Sequence, residues 1–164
     1  MITDGVVILR AMELDDLEVM YRWENDTSLW ALGDNTMPFS KRTLKQFIEQ
    51  QSKDFFATRQ MRLIVEVENR AVGCADLFDF SPLYRRAAVG ILVYNERGKG
   101  YGVRALRLLS DFAFARFGLE QLYSHVPLSN VASYKMCARV GFVESGILRR
   151  WCGQEDVAIM QYFG

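Results

Sequence analysis

Histidine, cysteine and proline are scarce in this chain: one His, three Cys and three Pro among 164 residues. Cys74, Cys137 and Cys152 are odd in number, far apart and in no CxxC pair, which argues against a disulfide frame and for reduced thiols. A single histidine, His125, with scattered cysteines cannot build a multi-ligand zinc site, so no metal is expected. An excess of one charge is also lacking. Twenty basic and twenty acidic residues cancel, whereas a dedicated nucleic-acid binder is usually basic. The opening "MITDGVVILRAMELDD" has an early acid and no long apolar core, unlike a signal peptide. No apolar run approaches the length of a membrane span. The expectation is a cytoplasmic protein with neither a nucleic-acid nor a membrane partner. What is present is half hydrophobic and 24% charged, enough for one domain over 1–164 with a real core.

The hydrophobic period changes twice along the chain. "VVILR" (Val6 to Arg10) reads as a short strand, and "ELDDLEVMYRWEND" as a helix with Leu14, Leu17 and Met20 or Tyr21 on one face and Asp15 and Asp16 in its first turn. "TSLWALGDNTMPF" lacks a period and reads as a loop. Ser40 is placed to cap a second helix carrying Leu44, Phe47 and Ile48 on one side. "MRLIVEVE", "AVGCADLFDF" and "AAVGILVY" then read as three strands joined by short turns, the third nearly without polar residues and so interior to a sheet. "YGVRALRLLSDFAFARFG" has the strongest helical pattern, with Val103, Leu106, Leu109 and Ala113 in a stripe and Gly118 as its stop. A strand "EQLYSHVP", a helix "NVASYKMCARVG" between Asn130 and Gly141, and a hairpin turning near Cys152 and Gly153 complete the chain. The order is β-α-α-β-β-β-α-β-α-β-β, an α+β class with a mixed, mostly antiparallel sheet flanked by helices.

The stretch "NERGKGYGVRAL" sits between strand and helix, where glycines and a helix start make an anion site. A triphosphate loop needs GxxxxGK followed by Ser or Thr, and here Lys99 precedes Gly100. A dinucleotide loop, matched by Gly100, Gly102 and Ala105, wants an acid at the end of the next strand. Glu120 precedes that strand, and the antiparallel strands before the loop do not fit a doubly wound sheet. The remaining readings are a coenzyme A loop and a plain tight turn.

Arg97-Gly98-Lys99-Gly100-Tyr101-Gly102 fits (R/Q)-x-x-G-x-(G/A) and resembles the acetyl-coenzyme A loop of the GNAT family of N-acetyltransferases. "NVASYKMCARVGF" is similar to that family's downstream segment, in which an Asn opens a helix that ends in Gly-Phe. The opening and the "DLFDFSPLYRRAAVGILV" hairpin resemble the subgroup of ribosomal-protein N-terminal and bacterial spermidine acetyltransferases. The resemblance covers nearly the whole chain.

The resemblance implies a GNAT fold, acetyl-coenzyme A as cofactor and transfer of its acetyl group to a primary amine. The acceptor is a polyamine such as spermidine or a protein N-terminus. It further implies a sheet splayed beside Ile91-Leu92-Val93, with the N–H of Leu92 or Val93 polarising the thioester carbonyl. Arg97, Gly98, Lys99, Gly100, Tyr101, Gly102, Val103 and Arg104 hold the pyrophosphate or 3′-phosphate, and Asn130 and Ser133 lie near the cofactor. Relatives are commonly oligomers, so a homo-oligomer is expected. Two usual side chains are missing. The family's acidic Tyr position holds Cys137, either a thiol acid or a small buried apolar group. Its Glu position holds Ala88. Asp76 and Asp79 are substitute bases or edge carboxylates, on opposite strand faces unless a bulge intervenes. Glu24 and Asp34 are further acids for a polyamine. Trp30 is a lid or a plug of the loop bordering the acceptor. Tyr134 reads as core packing with a satisfied hydroxyl, and His125 as a packed core residue. The two missing side chains leave an alternative function, a non-catalytic coenzyme A-binding module.

Overall fold

The computed structural model describes residues 1–30, 35–51, 53–94 and 96–164. Its strands are β1 (Ile2–Thr3), β2 (Ile8–Ala11), β3 (Met61–Val67), β4 (Arg70–Ser81), β5 (Arg86–Val93), β6 (Gln121–Pro127), β7 (Val143–Cys152) and β8 (Glu155–Tyr162). Its helices are α1 (Leu17–Glu24), α2 (Thr27–Trp30), α3 (Lys41–Gln50), α4 (Phe55–Thr58), α5 (Tyr101–Phe117) and α6 (Val131–Val140). The strands form one sheet in the order β1-β2-β3-β4-β5-β6-β8-β7, antiparallel except for the β5–β6 pair.

Most elements fall where period and punctuation place them. Ser40 caps α3 by accepting from the Thr43 N–H. Gly118 and Gly141 end α5 and α6 in left-handed conformations. Glu68 and Asn69, both at positive φ, make the β3–β4 turn. The N-terminal region differs. The strand expected over Val6 to Arg10 begins only at Ile8, as β2, and a further short strand, β1, precedes it across a turn in which Asp4 Oδ1 accepts from the N–H groups of Val6 and Val7. Leu14 is 52% exposed, because a 3₁₀ turn over Leu14–Asp16 rotates it out before α1 begins. The buried side of α1 is Met20 and Trp23. The expected loop from Thr27 onward begins with the short helix α2, and α4 was not legible.

Alternation sorts the central strands onto two faces. Ala75 and Leu77 on β4, Ala87 and Val89 on β5, and Leu122 and Val126 on β6 face α5 and α6 and pack on Ala105, Leu106, Leu109 and Cys137. Ile64 on β3 faces the other way, with Leu92 against Met20, Trp23 and Ile48 of α1 and α3. Each leucine-sized side chain withdrawn from water contributes about 1.5–3 kcal/mol. Arg10 on β2 anchors the start of α1 through both oxygens of Asp16 (2.8 and 2.9 Å) and also pairs with Glu66. Burial raises the Asp16 carboxyl, but the Arg10 guanidinium and the Glu13 N–H prevail and hold it below its ordinary value.

Candidate active site

β5 and β6 pair only through Arg86–Gln121, Ala87–Leu122 and Ala88–Tyr123. Beyond these positions the two strands part, and the sheet has a gap. The Tyr94 N–H bonds to the Val72 carbonyl on β4 (2.8 Å), in register with the Gly73–Val93 and Cys74–Leu92 positions. Main-chain groups alternate sides along a strand, so Tyr94, Leu92 and Gly90 turn theirs to β4, while Val93 and Ile91 turn theirs into the gap. The two expected N–H donors, Leu92 and Val93, therefore turn to opposite sides of β5. Leu92 is committed to β4, where its N–H lies against Cys74, and the gap is served by Val93 and Ile91. Gly73 makes this close approach feasible, since a Cβ there would overlap the Leu92 carbonyl oxygen.

The glycine loop lies at the end of β5. Gly98 (φ 86°) and Gly100 (φ 80°) adopt the left-handed conformation that glycine takes without strain, and Gly100 is the N-cap of α5. The Arg104 N–H reaches the Gly100 carbonyl, leaving the N–H groups of Tyr101, Gly102 and Val103 without an acceptor among the described residues. Gly102 sets how closely this helix start approaches its neighbours. A Cβ there would stand 3.0 Å from Met136 Sδ of α6, with Val93 and Ile91 methyls just beyond.

The three cations of the loop are not equivalent. Lys99 pairs with Glu96, and Arg104 with Asp4 at 2.7 Å. Arg97 makes no salt bridge among the described residues; its charge is felt at Asp26, and its Nε donates to the Val93 carbonyl at 3.3 Å. Asn130 caps α6, its Oδ1 accepting from the Ser133 N–H at 3.2 Å. Ser133 is half-buried in the first turn of α6. A splayed strand edge with unpaired main-chain groups, a helix start with free N–H groups and an uncommitted Arg97 together fit a long, strand-like ligand ending in a pyrophosphate.

Cys137 is 1% exposed within the core, and burial alone pushes its thiol up to about 11. That corrects the reading of Cys137 as an acid. A thiol harder to ionise than the thiolate it would protonate gives no driving force. Burial and the charge of Asp76 likewise push Cys74 up to about 12. Tyr134 packs on the core edge and donates to Glu144 Oε2 at 2.9 Å, which raises its hydroxyl above the ordinary value.

The opposite face holds the acids, and it holds them differently from the expectation. Arg62, on β3 beside Asp76, grips both Asp76 oxygens (2.7 and 2.8 Å) and reaches Glu24 with its Nη1. The Phe47 ring lies 5.5 Å from the guanidinium. Asp76 is thus not a free base. Trp30 is not in an open loop. It ends α2, and its indole N–H donates to the Glu24 carbonyl at 2.9 Å. Asp79 does sit at a bulge, with φ 49° and a register shift between Phe78 and Ser81, and its charge is felt at Tyr123. Asp34 lies outside the described residues. Asp26, missed from sequence, accepts from the Tyr94 hydroxyl at 2.7 Å. Bonds from Ser28, then Tyr94, lower its carboxyl.

Beyond these helices the face of β5, β6 and β8 is open, and a depression of about 320 Å³ is lined by Arg86, Gln121, Tyr123, His125, Ile159 and Gln161. The expectation of His125 as a packed core residue is overturned: it is exposed on this face. Strand alternation carried the clue, since Tyr123 and His125 flank the buried Val126 and Leu122 on the other parity.

Residues 7–143 match the acetyltransferase (GNAT) domain. The chain belongs to the GNAT family of N-acetyltransferases. Acetyl-coenzyme A is the family's acetyl donor, and the chain's eight-stranded mixed sheet flanked by helices is the GNAT fold. A relative, the SPbeta prophage-derived uncharacterized N-acetyltransferase YokL of Bacillus subtilis (strain 168), is 25% identical over 144 residues, 87% of this chain and 78% of that protein. The fold is similar to that of the spermidine N-acetyltransferase from Vibrio cholerae in complex with CoA and spermine. The TM-score is 0.86 at 23% identity, over 98% of this chain and 96% of that one. A dodecameric form of the spermidine N-acetyltransferase from Vibrio cholerae gives a TM-score of 0.77 at 24% identity, over 98% and 95%.

Proposed function

We propose that this GNAT chain transfers the acetyl group of acetyl-coenzyme A to the amine of a protein or peptide N-terminus by direct attack on the thioester. The carrying observation is the gap beside Ile91 and Val93, whose main-chain groups face an opening and not a strand. The pantetheine arm adds there as a strand. The pyrophosphate is held by the N–H groups of Tyr101, Gly102 and Val103 with Arg97, and Asn130 and Ser133 border the arm from α6. The N–H of Val93 or Ile91 meets the thioester oxygen, a donor of a kind worth about 2.7–4 kcal/mol of barrier. Alignment of the two reactants contributes several more. The thiolate leaves without a side-chain acid, since Cys137 sits in the core.

The choice of acceptor rests on charge. Arg62 ties up Glu24 and Asp76 and offsets one of their two charges, and these are two of the acids that would hold a polyamine's further ammonium groups. An acceptor with one amine has less need of them, and the open depression carries Arg86 and a Gln121–Gln161 hydrogen bond of 2.7 Å suited to a peptide backbone. A polyamine acceptor is the second reading, supported by the likeness to the Vibrio cholerae spermidine N-acetyltransferase fold and by Asp79 at the bulge. Assembly into a homo-oligomer and a cytoplasmic location belong to the same proposal. The dodecameric Vibrio cholerae protein supports the first, and free cysteines support the second.

Thiol release from acetyl-coenzyme A with spermidine, spermine and Ala- or Ser-leading peptides tests this. The expected result is a higher kcat/KM on a peptide than on either polyamine. Turnover of polyamines alone favours the second reading. Coenzyme A binding without turnover on any amine overturns both and leaves a non-catalytic binding module.

A further inference from the structure

His125 lies at the lip of the gap on the open face. The β5–β6 register ends at Ala88–Tyr123. Had it continued, His125 would stand opposite Gly90. It is two residues past the last pair, about 7 Å along the strand. Its side chain shares a face with Tyr123, with which it lines the 320 Å³ depression. At the register positions of Tyr123 and His125 that face is nearly bare, because β5 presents Ala88 and Gly90 there, with the Phe78 ring 3.6 Å from where a Gly90 Cβ would be. The lack of bulk leaves room for an amine to approach the thioester from this side.

The imidazole is held but not occupied. The Tyr123 ring lies 5.6 Å from it on one side and the Trp151 ring 6.2 Å on the other. Among the described residues neither ring nitrogen has a hydrogen-bond partner. The groups around it are Tyr123 on its own strand, Ile159 and Gln161 on β8, Trp151 on β7 and Arg86 on β5. Arg86 is the charged member, and its guanidinium stacks 4.9 Å over the Tyr84 ring. The carboxylates of the other half of this face are taken up by Arg62 or set at the bulge.

We propose that His125 is the general base of the transfer. This rests on the acetyltransferase reading above. The amine nitrogen forms its bond to the thioester carbon, and the carbon–sulfur pair leaves with sulfur as thiolate. The proton shed by nitrogen passes to an unprotonated ring nitrogen of His125 and from there to solvent. The empty Glu position at Ala88 is thereby replaced from the neighbouring strand: one parallel pair carries the base on β6 instead of β5.

The test uses the full chain and whichever amine the unaltered protein turns over best. In His125→Gln, kcat/KM at pH 7 falls about 100-fold, while the Kd for coenzyme A by calorimetry and the melting temperature stay at their original values. The deficit narrows as pH rises past the amine's own pKa, where the amine sheds its proton without help. In His125→Ala, added imidazole restores part of kcat, which a merely structural role would not allow. Unchanged kcat/KM and pH profile in His125→Gln overturn the proposal alone. A loss that is constant with pH and not rescued by imidazole also overturns it. Absence of turnover by the unaltered protein on the whole amine panel overturns it together with the reading it rests on.

Discussion

On the face covered by α5 and α6, the groups proposed to meet the acetyl donor are main-chain: the free edge of β5 and the N–H groups at the start of α5. On the opposite face the groups that shape the acceptor side are side chains gathered from distant segments. Arg62 of β3 joins Glu24 of α1 to Asp76 of β4, and His125 of β6 stands beside Trp151 of β7. A donor common to a whole family is served by backbone geometry, which needs glycines and a strand edge. An acceptor particular to one protein is served by side-chain charge, which any single substitution can alter. The difference explains why the donor half shows itself in short motifs and the acceptor half does not.

The comparison breaks most sharply at Gly73. In Gly73→Ala the new methyl meets a main-chain carbonyl, which cannot swing aside as a side chain can. The expected loss is on the order of 4 kcal/mol, read as a fall of roughly 8–16 °C in melting temperature for a chain of this size. A melting point within 2 °C of the original would show that the β4–β5 approach does not depend on glycine.

On the acceptor face, Arg62→Met leaves Glu24 and Asp76 facing each other without their shared cation. Removing one partner of a buried pair costs about 3–5 kcal/mol, and the 22% exposure of Arg62 brings the expected figure to about 3 kcal/mol. The same change turns the acceptor side acidic, so the ratio of kcat/KM for spermidine to that for an Ala-leading peptide rises. A ratio that stays put would separate Arg62 from acceptor choice.

A finer contrast lies within the donor loop. Arg97→Ala removes the cation with no carboxylate partner and raises the Kd for coenzyme A about fivefold, near 1 kcal/mol. Lys99→Ala, with its charge already set against Glu96, raises it by about twofold or less. Equal losses on titration calorimetry would mean that the Glu96 pair opens when the ligand binds.

The smallest effect on catalysis is expected at Cys137. Cys137→Ala should leave kcat unchanged and lower stability by about 1 kcal/mol, the size of a small core void. A fall in kcat with the fold intact would restore the thiol as an acid.

The order of strands and helices was legible because period and punctuation are local. Ser40, Gly118, Asn130 and Gly141 act within one turn of themselves. The start of the chain was misread where a non-local partner decided the outcome. The Arg10–Asp16 pair anchors the 3₁₀ turn that carries Leu14 outward, and no propensity of Leu14 foretells it. Asp76 was visible as an acid, but its engagement by Arg62 depends on a register of β3 against β4 that spans 14 positions of chain. His125 was misjudged for a related reason. Parity along β6 assigns it a face, yet whether that face is covered depends on where the helices end up.

By itself the sequence determined the order of the main strands and helices and the glycine-lined helix start with its anion preference, because these are properties of neighbouring residues. Only the tertiary structure decided that β5 and β6 separate after Ala88, that Leu92 turns away from the gap while Val93 and Ile91 face it, and that Glu24 and Asp76 share one guanidinium. These depend on strand register and on which layer covers which face, and both are set by packing of the whole sheet.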